Sequence, residues 1–393
     1  MILETSFIQQ YKRLAEGKVI ALPSETVYGL AASVLSSDAV ERMVRIKCNT
    51  GDIAVGEQNS GTATQERPPC SLAIAVKSVD EALDYMCYDS PLAIRFARRC
   101  WPGPVTLVVP CDIARSAVSR FPKPVQDLMI GPKGDISIRV VAHRLFEQLQ
   151  KYCAGPIALC SAARYGSAPA TTGIAVVEQF GDDIPVVLDD GPTRYGGPST
   201  VVRADGNQFR IIREGVVESA AIRQYARPSI MLVCTGNTCR SPMAEALLKR
   251  RIEEKFGNLP AAAIMPTVAS VGLAAMPGDP ATPQAIDVMR QRGLDISAHE
   301  SQPFGEQIIR SADLILTMTR SHRNAILARW PEAQDRVFTV RRDGGDISDP
   351  VGSPVEIYNA CADQIDRELA QWVDSLGDDW IAIPETGGDG DQS

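Results

Sequence analysis

The run Met231-Leu-Val-Cys-Thr-Gly-Asn-Thr-Cys-Arg-Ser-Pro-Met243 constrains the fold more than any other stretch of this chain. Residues 230–233 read as a short buried strand, and a helix is predicted to open at Pro242. A strand feeding a loop that feeds a helix N-terminus aims successive backbone N–H groups at one spot. The helix dipole also favours negative charge there. With Cys234 at the entrance and Arg240 at the exit, such a loop can hold a tetrahedral dianion and attack it. Further strands are predicted over 266–270, 314–318 and 337–340, and helices over 242–256, 282–291, 321–329 and 355–376. The predicted fold class here is α/β, a small doubly wound parallel four-stranded sheet with helices on both faces. The loop then leaves the C-terminal edge of the first strand, where open α/β sheets bind ligands.

A chain of 393 residues has room for a second core. No apolar stretch approaches the roughly 18 to 20 residues of a membrane span, and the N-terminus lacks the basic flank of a signal peptide. The ten cysteines follow no regular framework, so a cytoplasmic chain with reduced thiols is expected. The net charge of −8 falls wholly after residue 226: residues 1–226 hold 24 basic and 24 acidic side chains, residues 227–393 hold 16 and 24. That balance excludes a nucleic-acid-coating protein while leaving a local basic cleft open. Residues 381–393 read as a disordered acidic tail.

Upstream, residues 5–17 have helical spacing, with Ile8, Tyr11, Leu14 and Ala15 on one face, and 18–22 form a strand. Residues 23–30 read as a polar turn, and Asp38 as the cap of a helix through Ile46. Residues 48–66 are polar and rich in Gly, Ser and Thr, a long mobile loop. Strands are predicted over 71–76, 105–109, 136–140, 157–159, 186–188, 199–202 and 209–212, with short helices over 80–86 and 95–100. Strands with few intervening helices predict an α+β, mixed-sheet domain over 1–226. The polar break Tyr225-Ala-Arg-Pro-Ser229 marks the boundary, because Pro228 disfavours helix at Arg227, and a second domain runs over 229–380.

Six motifs in the first half fall in an order that resembles the threonylcarbamoyl-adenylate synthase family. They are Lys18-Val-Ile-Ala-Leu-Pro-Ser-Glu-Thr-Val-Tyr-Gly-Leu, Trp101-Pro-Gly-Pro-Val-Thr-Leu, Ser137-Ile-Arg-Val, Ser161-Ala-Ala, Pro198-Ser-Thr-Val-Val and Ile212-Arg-Glu-Gly. The resemblance implies a fold also described as double-stranded-RNA-binding. It implies condensation of L-threonine, bicarbonate and ATP, with Mg2+ on the phosphates, to an adenylate used in tRNA modification. It places Lys47, Arg67, Ser161 and Arg213 against ATP, and Ser24, Arg139 and Ser199 against threonine. An arginine suits a bidentate carboxylate grip, and tRNA or tRNA-modification proteins are implied partners. Two departures stand out. Lys47 is followed by Cys48-Asn49, with the next Arg-Pro at Arg67-Pro68 beyond the polar loop, and Ala163 replaces the family's asparagine.

Cys-x5-Arg-Ser after a strand, with a distant Asp349-Pro350, resembles the low-molecular-weight protein phosphatase family. Cys234 must act as a thiolate and form a cysteinyl-phosphate, with Arg240 gripping the equatorial oxygens. Ser241 is placed to bond the sulfur and Asp349 to protonate the leaving group and then activate water. Thr235, Gly236, Asn237, Thr238 and Cys239 complete the phosphate loop, with Asn237 as its brace. No metal ligands come from side chains. Cys239 reads equally as a resolving thiol or a packing residue, and His299 and His322 as structural. The resemblance makes Thr238 the mark of an arginine-directed branch. Val351-Gly352 stand where tyrosine-directed members carry tyrosines.

The sequence therefore predicts a bifunctional enzyme, a synthase fused to a phosphatase that acts on phosphorylated protein, with phosphoarginine favoured over phosphotyrosine. The competing reading is an active phosphatase tethered to a non-synthesising nucleotide- or RNA-binding module. Arsenate reduction is a third, which wants shuttle cysteines beyond Cys361.

Overall fold

A computed structural model describes residues 2–3, 7–48, 72–86 and 90–385. Arg67, most of the predicted loop 48–66 and residues 386–393 lie outside the described residues. The chain divides into two compact units, one within Met1–Tyr225 and the other over Ala226–Pro384.

The first unit carries strands β1 (Ile2–Leu3), β2 (Ile20–Leu22), β3 (Gly29–Ser33), β4 (Ala73–Ala75) and β5 (Val105–Pro110). It continues with β6 (Asp135–Arg139), β7 (Ile157–Ser161), β8 (Val186–Val187), β9 (Thr200–Asp205) and β10 (Gln208–Arg213). They lie in the order β1-β8-β2-β3-β7-β4-β6-β5-β9-β10. Pairing is mixed: β3 runs antiparallel to β2 and β7, while β4 and β6 run parallel. Its helices are α1 (Phe7–Ala15), α2 (Ser37–Cys48), α3 (Val79–Leu83), α4 (Pro91–Cys100), α5 (Lys123–Met129), α6 (Arg144–Tyr152), α7 (Gly173–Phe180) and α8 (Ser219–Ala226).

Several sequence expectations are corrected here. Ala39 N donates to Ser36 Oγ, so Ser36, not Asp38, supplies the cap of α2. Residues 29–30 belong to a strand, because β2 and β7 supply hydrogen bonds that small residues alone do not demand. Ala15 is exposed although Leu14 beside it is buried. Helix α8 enters the polar break but ends at Ala226, so Arg227 is outside it as Pro228 requires.

The second unit holds β11 (Ser229–Cys234), β12 (Thr267–Gly272), β13 (Leu314–Thr317) and β14 (Val337–Thr339), ordered β12-β11-β13-β14 and all parallel. Its helices are α9 (Arg240–Phe256), α10 (Pro283–Gln291), α11 (Glu306–Ser311), α12 (Arg320–Arg329) and α13 (Val355–Ser375). Strand alternation sorts β11 into two cores. Ile230 and Leu232 pack with Met243, Leu247, Val288 and Ile365 from α9, α10 and α13, whereas Met231 and Val233 pack with Ile309 and Ile326 from α11 and α12. Strand order reverses at β11, which creates a crevice at its carboxyl end. Residues 381–385, expected within a disordered tail, are ordered: Ala382 is fully buried and pairs with Ile264. The burial of Ile381 and Ala382 outweighs the acidic composition around them.

Candidate active site

The crevice at the end of β11 is filled by the loop from Cys234 to Arg240. Helix α9 opens at Arg240, two residues before Pro242, because Arg240 and Ser241 turn inward and are buried. Cys234 Sγ lies 2.9 Å from Ser241 Oγ and accepts a hydrogen bond from Asn237 N at 3.1 Å. Asn237 has φ of 56°, in the left-handed region that asparagine tolerates better than most residues. Its side chain fixes that turn. Nδ2 donates to Ser241 Oγ and Ser270 Oγ, each at 2.9 Å, and Oδ1 accepts from Gln302 N at 2.8 Å. Glu245 Oε2 accepts in turn from Ser270 Oγ at 2.6 Å. The expected brace thus works through two hydroxyls as well as backbone.

Arg240 Nη1 donates to Ile347 O at 3.1 Å, and its Nη2 pairs with Asp349 Oδ2. The guanidinium is buried while the carboxylate is half exposed, so an entering dianion can take Asp349's place on the arginine. Asp349 is held in its own turn by Val351 N, which donates to Oδ1 at 3.2 Å. Val351 is well exposed. Thr238 is half buried. Its Oγ1 lies 3.7 Å from Cys239 Sγ, and its carbonyl accepts from Thr282 N. Cys239 points away from Cys234's partners, towards Thr282 Oγ1 and Tyr358 Oη, each 3.5 Å away. Burial, with Cys239 beside it, pushes the Tyr358 phenol up to about 12, and burial pushes the Cys361 thiol up to about 12.

Both histidines read from sequence as structural touch this loop. His299 Nε2 is 2.7 Å from Asn237 O and His322 Nε2 is 2.9 Å from Thr235 Oγ1. Together with Ser270 and Gln302 they are supports that the sequence reading missed. No spacing rule links residues so far apart in the chain.

In the first unit, Ser24, Lys47, Arg139, Ser161, Ser199 and Arg213 line one cavity of about 300 Å³. Their groups are partly engaged. Lys47 Nζ donates to Ser161 O and Oγ at 3.0 Å and to Ala163 O at 3.3 Å. Arg139 Nη2 donates to Glu25 Oε1 at 2.8 Å and Thr26 Oγ1 at 2.9 Å, inside the fold. Ser24 Oγ is turned onto Val27 O at 2.6 Å. Arg213 reaches Ser199 O at 3.0 Å, and burial, with Arg139 nearby, lowers its pKa. Lys47 and Arg213 line the cavity as cations that favour an anion there, while the charge of Arg139 is matched by Glu25. Glu25, which also accepts from Ala142 N at 3.1 Å, is a positioning residue that the motif contained but the spacing did not single out.

The family model for low molecular weight phosphotyrosine protein phosphatase matches residues 229–381. A protein-arginine-phosphatase of Bacillus subtilis is 37% identical over 154 residues, covering 38% of this chain and 97% of that protein. The chain belongs to the low-molecular-weight phosphatase family. A probable low molecular weight protein-tyrosine-phosphatase of Ralstonia nicotianae is 35% identical, over 37% of this chain and 93% of its own length. The Sua5–YciO–YrdC family model, described as telomere recombination, matches residues 12–52 and 62–215. The threonylcarbamoyl-AMP synthase of Pyrococcus abyssi is 32% identical over 48% of this chain, which spans 48% of that protein. The chain thus joins a domain matched by the Sua5–YciO–YrdC family model to a hydrolase of the protein-phosphatase class. Among the described residues no helix is long and apolar enough to cross a membrane.

Proposed function

We propose that the second unit removes phosphoryl groups from protein through a cysteinyl-phosphate. The observation that carries this reading is the arrangement of Cys234, Ser241, Arg240 and Asp349 around one loop. The thiolate of Cys234 attacks phosphorus while the bond to the leaving atom breaks and Asp349 gives that atom a proton. Arg240 follows the charge on the equatorial oxygens. Asp349, now a carboxylate, takes a proton from water as that water attacks phosphorus and expels the sulfur, which Ser241 stabilises. Phosphoarginine is the favoured substrate. Thr238 supplies a hydroxyl within the loop, and exposed Val351 stands where tyrosine-directed members of the family carry an aromatic residue. Cys234→Ser should abolish hydrolysis of phosphoarginine and para-nitrophenyl phosphate together, and retained turnover would remove the assignment. Thr238→Ile should shift preference towards phosphotyrosine; an unchanged ratio counts against the arginine reading.

For the first unit we infer a threonylcarbamoyl-AMP synthase. Lys47 and Arg213 meet the triphosphate of ATP, Ser161 the nucleotide, and Arg139 and Ser199 the amino acid. Mg2+ would come to this site with the phosphates of ATP. The product is destined for tRNA. A second reading, a binding module that makes no adenylate, draws on Lys47 and Arg139 being already bonded within the fold. Full-length protein given L-threonine, bicarbonate, ATP and Mg2+ decides between them. Threonine-dependent pyrophosphate is expected; ATP binding without pyrophosphate supports the module.

A further inference from the structure

His322 lies in the first turn of α12 and is almost fully buried. Its backbone N donates to Thr319 Oγ1 at 3.2 Å. Among the described residues, its one hydrogen-bond contact through the ring is Nε2 to Thr235 Oγ1 at 2.9 Å, and buried Nδ1 has no partner. Thr235 is exposed on the loop, directly after the nucleophile. The charges that act on the imidazole through space are those of Arg240, Asp349 and Asp346.

The unpartnered Nδ1 decides the tautomer. A proton there would be a buried donor with nothing to receive it, the least tolerated orphan in a protein interior. The same holds for the doubly protonated ring, and burial together with Arg240 favours the neutral form. The proton therefore sits on Nε2, and the imidazole donates to Thr235 Oγ1. A hydroxyl carries one hydrogen and can accept through its lone pairs. Once its oxygen accepts from His322, its hydrogen cannot point back at the ring and is left for another acceptor, and Thr235 is exposed.

We propose that Thr235 and His322 form a fixed donor pair at the phosphate site: Thr235 donates its hydroxyl hydrogen to a phosphoryl oxygen of the substrate, and His322 is the positioning residue that orients it. The pair adds a donor to the loop amides and Arg240. It is independent of whether the leaving group is nitrogen or oxygen. The proposal rests on the phosphatase reading.

Inhibition of full-length protein by inorganic phosphate, with para-nitrophenyl phosphate as substrate, tests it because phosphate reports on the loop alone. Thr235→Val should weaken phosphate inhibition about tenfold, the scale of one hydrogen bond to a charged group. Thr235→Ser, which keeps the hydroxyl, should recover most of that loss. His322→Phe should weaken inhibition about threefold, and the double variant should be no worse than Thr235→Val alone. Unchanged phosphate inhibition in Thr235→Val, or fully additive losses, would overturn the pair. If His322→Phe does not fold, the valine and serine variants still decide. An inactive wild-type chain that phosphate does not bind would sink the phosphatase reading itself, a result distinct from either.

Discussion

At the residue scale the loop is legible because one short segment carries most of it. Cys234, Arg240 and Ser241 are fixed by local spacing, and Asn237 bends the chain with φ of 56°. Asp349 lies 109 positions from Arg240, yet its Asp-Pro pair made it readable. His299, His322, Ser270 and Gln302 were not readable as loop supports, since each arrives through the fold of a distant strand or helix start. Asp349→Asn should lower kcat by about 10²- to 10⁴-fold, the usual worth of a general acid and base, with phosphate inhibition far less affected. Steady-state kinetics would check it. Acid stability is a second residue-scale expectation. Burial is the main cause lowering the pKa of both His143 and His322 from the ordinary imidazole value of 6.5. A group whose folded value is depressed binds more protons when unfolded, so its contribution is whole above pH 6.5 and shrinks as pH falls through the folded values. Melting temperature should therefore drop below pH 6.5, and the drop should be smaller in His322→Phe.

At the element scale, the strands and long helices of the second unit are read closely because periodicity and length agree. Short or tertiary-driven elements are not. Helix α7 opens on Gly173 and carries adjacent Val176 and Val177, poor helix formers, and is set by the Thr172 cap, with Thr172 Oγ1 accepting from Ala175 N at 3.2 Å. Helix α6 has a helical face, with Leu145, Phe146 and Leu149 buried, that the strand and helix expectations above do not include. The end of β12 supplies a sharper test. A Cβ on Gly272 would stand 2.5 Å from Thr235 O and 2.9 Å from Asn237 N, so only glycine lets the loop backbone pass. Gly272→Ala should cost about 1–3 kcal/mol of stability in the second unit and at least tenfold in phosphatase kcat/KM. Denaturant unfolding and kinetics would show it. A fully active alanine variant would contradict the close approach.

On the scale of the whole molecule, two compact units share one chain, and each fold is legible through its own motifs. The first unit's cavity gathers every described residue predicted for it, but sequence could not reveal that Glu25 holds Arg139 or that Lys47 is bonded to Ser161. Those bonds depend on β3, β6 and β7 lying in one sheet. If the sites work independently, Cys234→Ser should leave threonine-dependent pyrophosphate release unchanged, and Arg139→Ala should spare phosphatase turnover while abolishing that release. The central claim is that phosphoryl transfer passes through Cys234. Rapid-quench mass spectrometry of Asp349→Asn protein turning over para-nitrophenyl phosphate tests it most directly. One phosphoryl group is expected on the peptide that contains Cys234, absent in the Cys234→Ser, Asp349→Asn double variant. Turnover with no phosphoryl group on that peptide would contradict it.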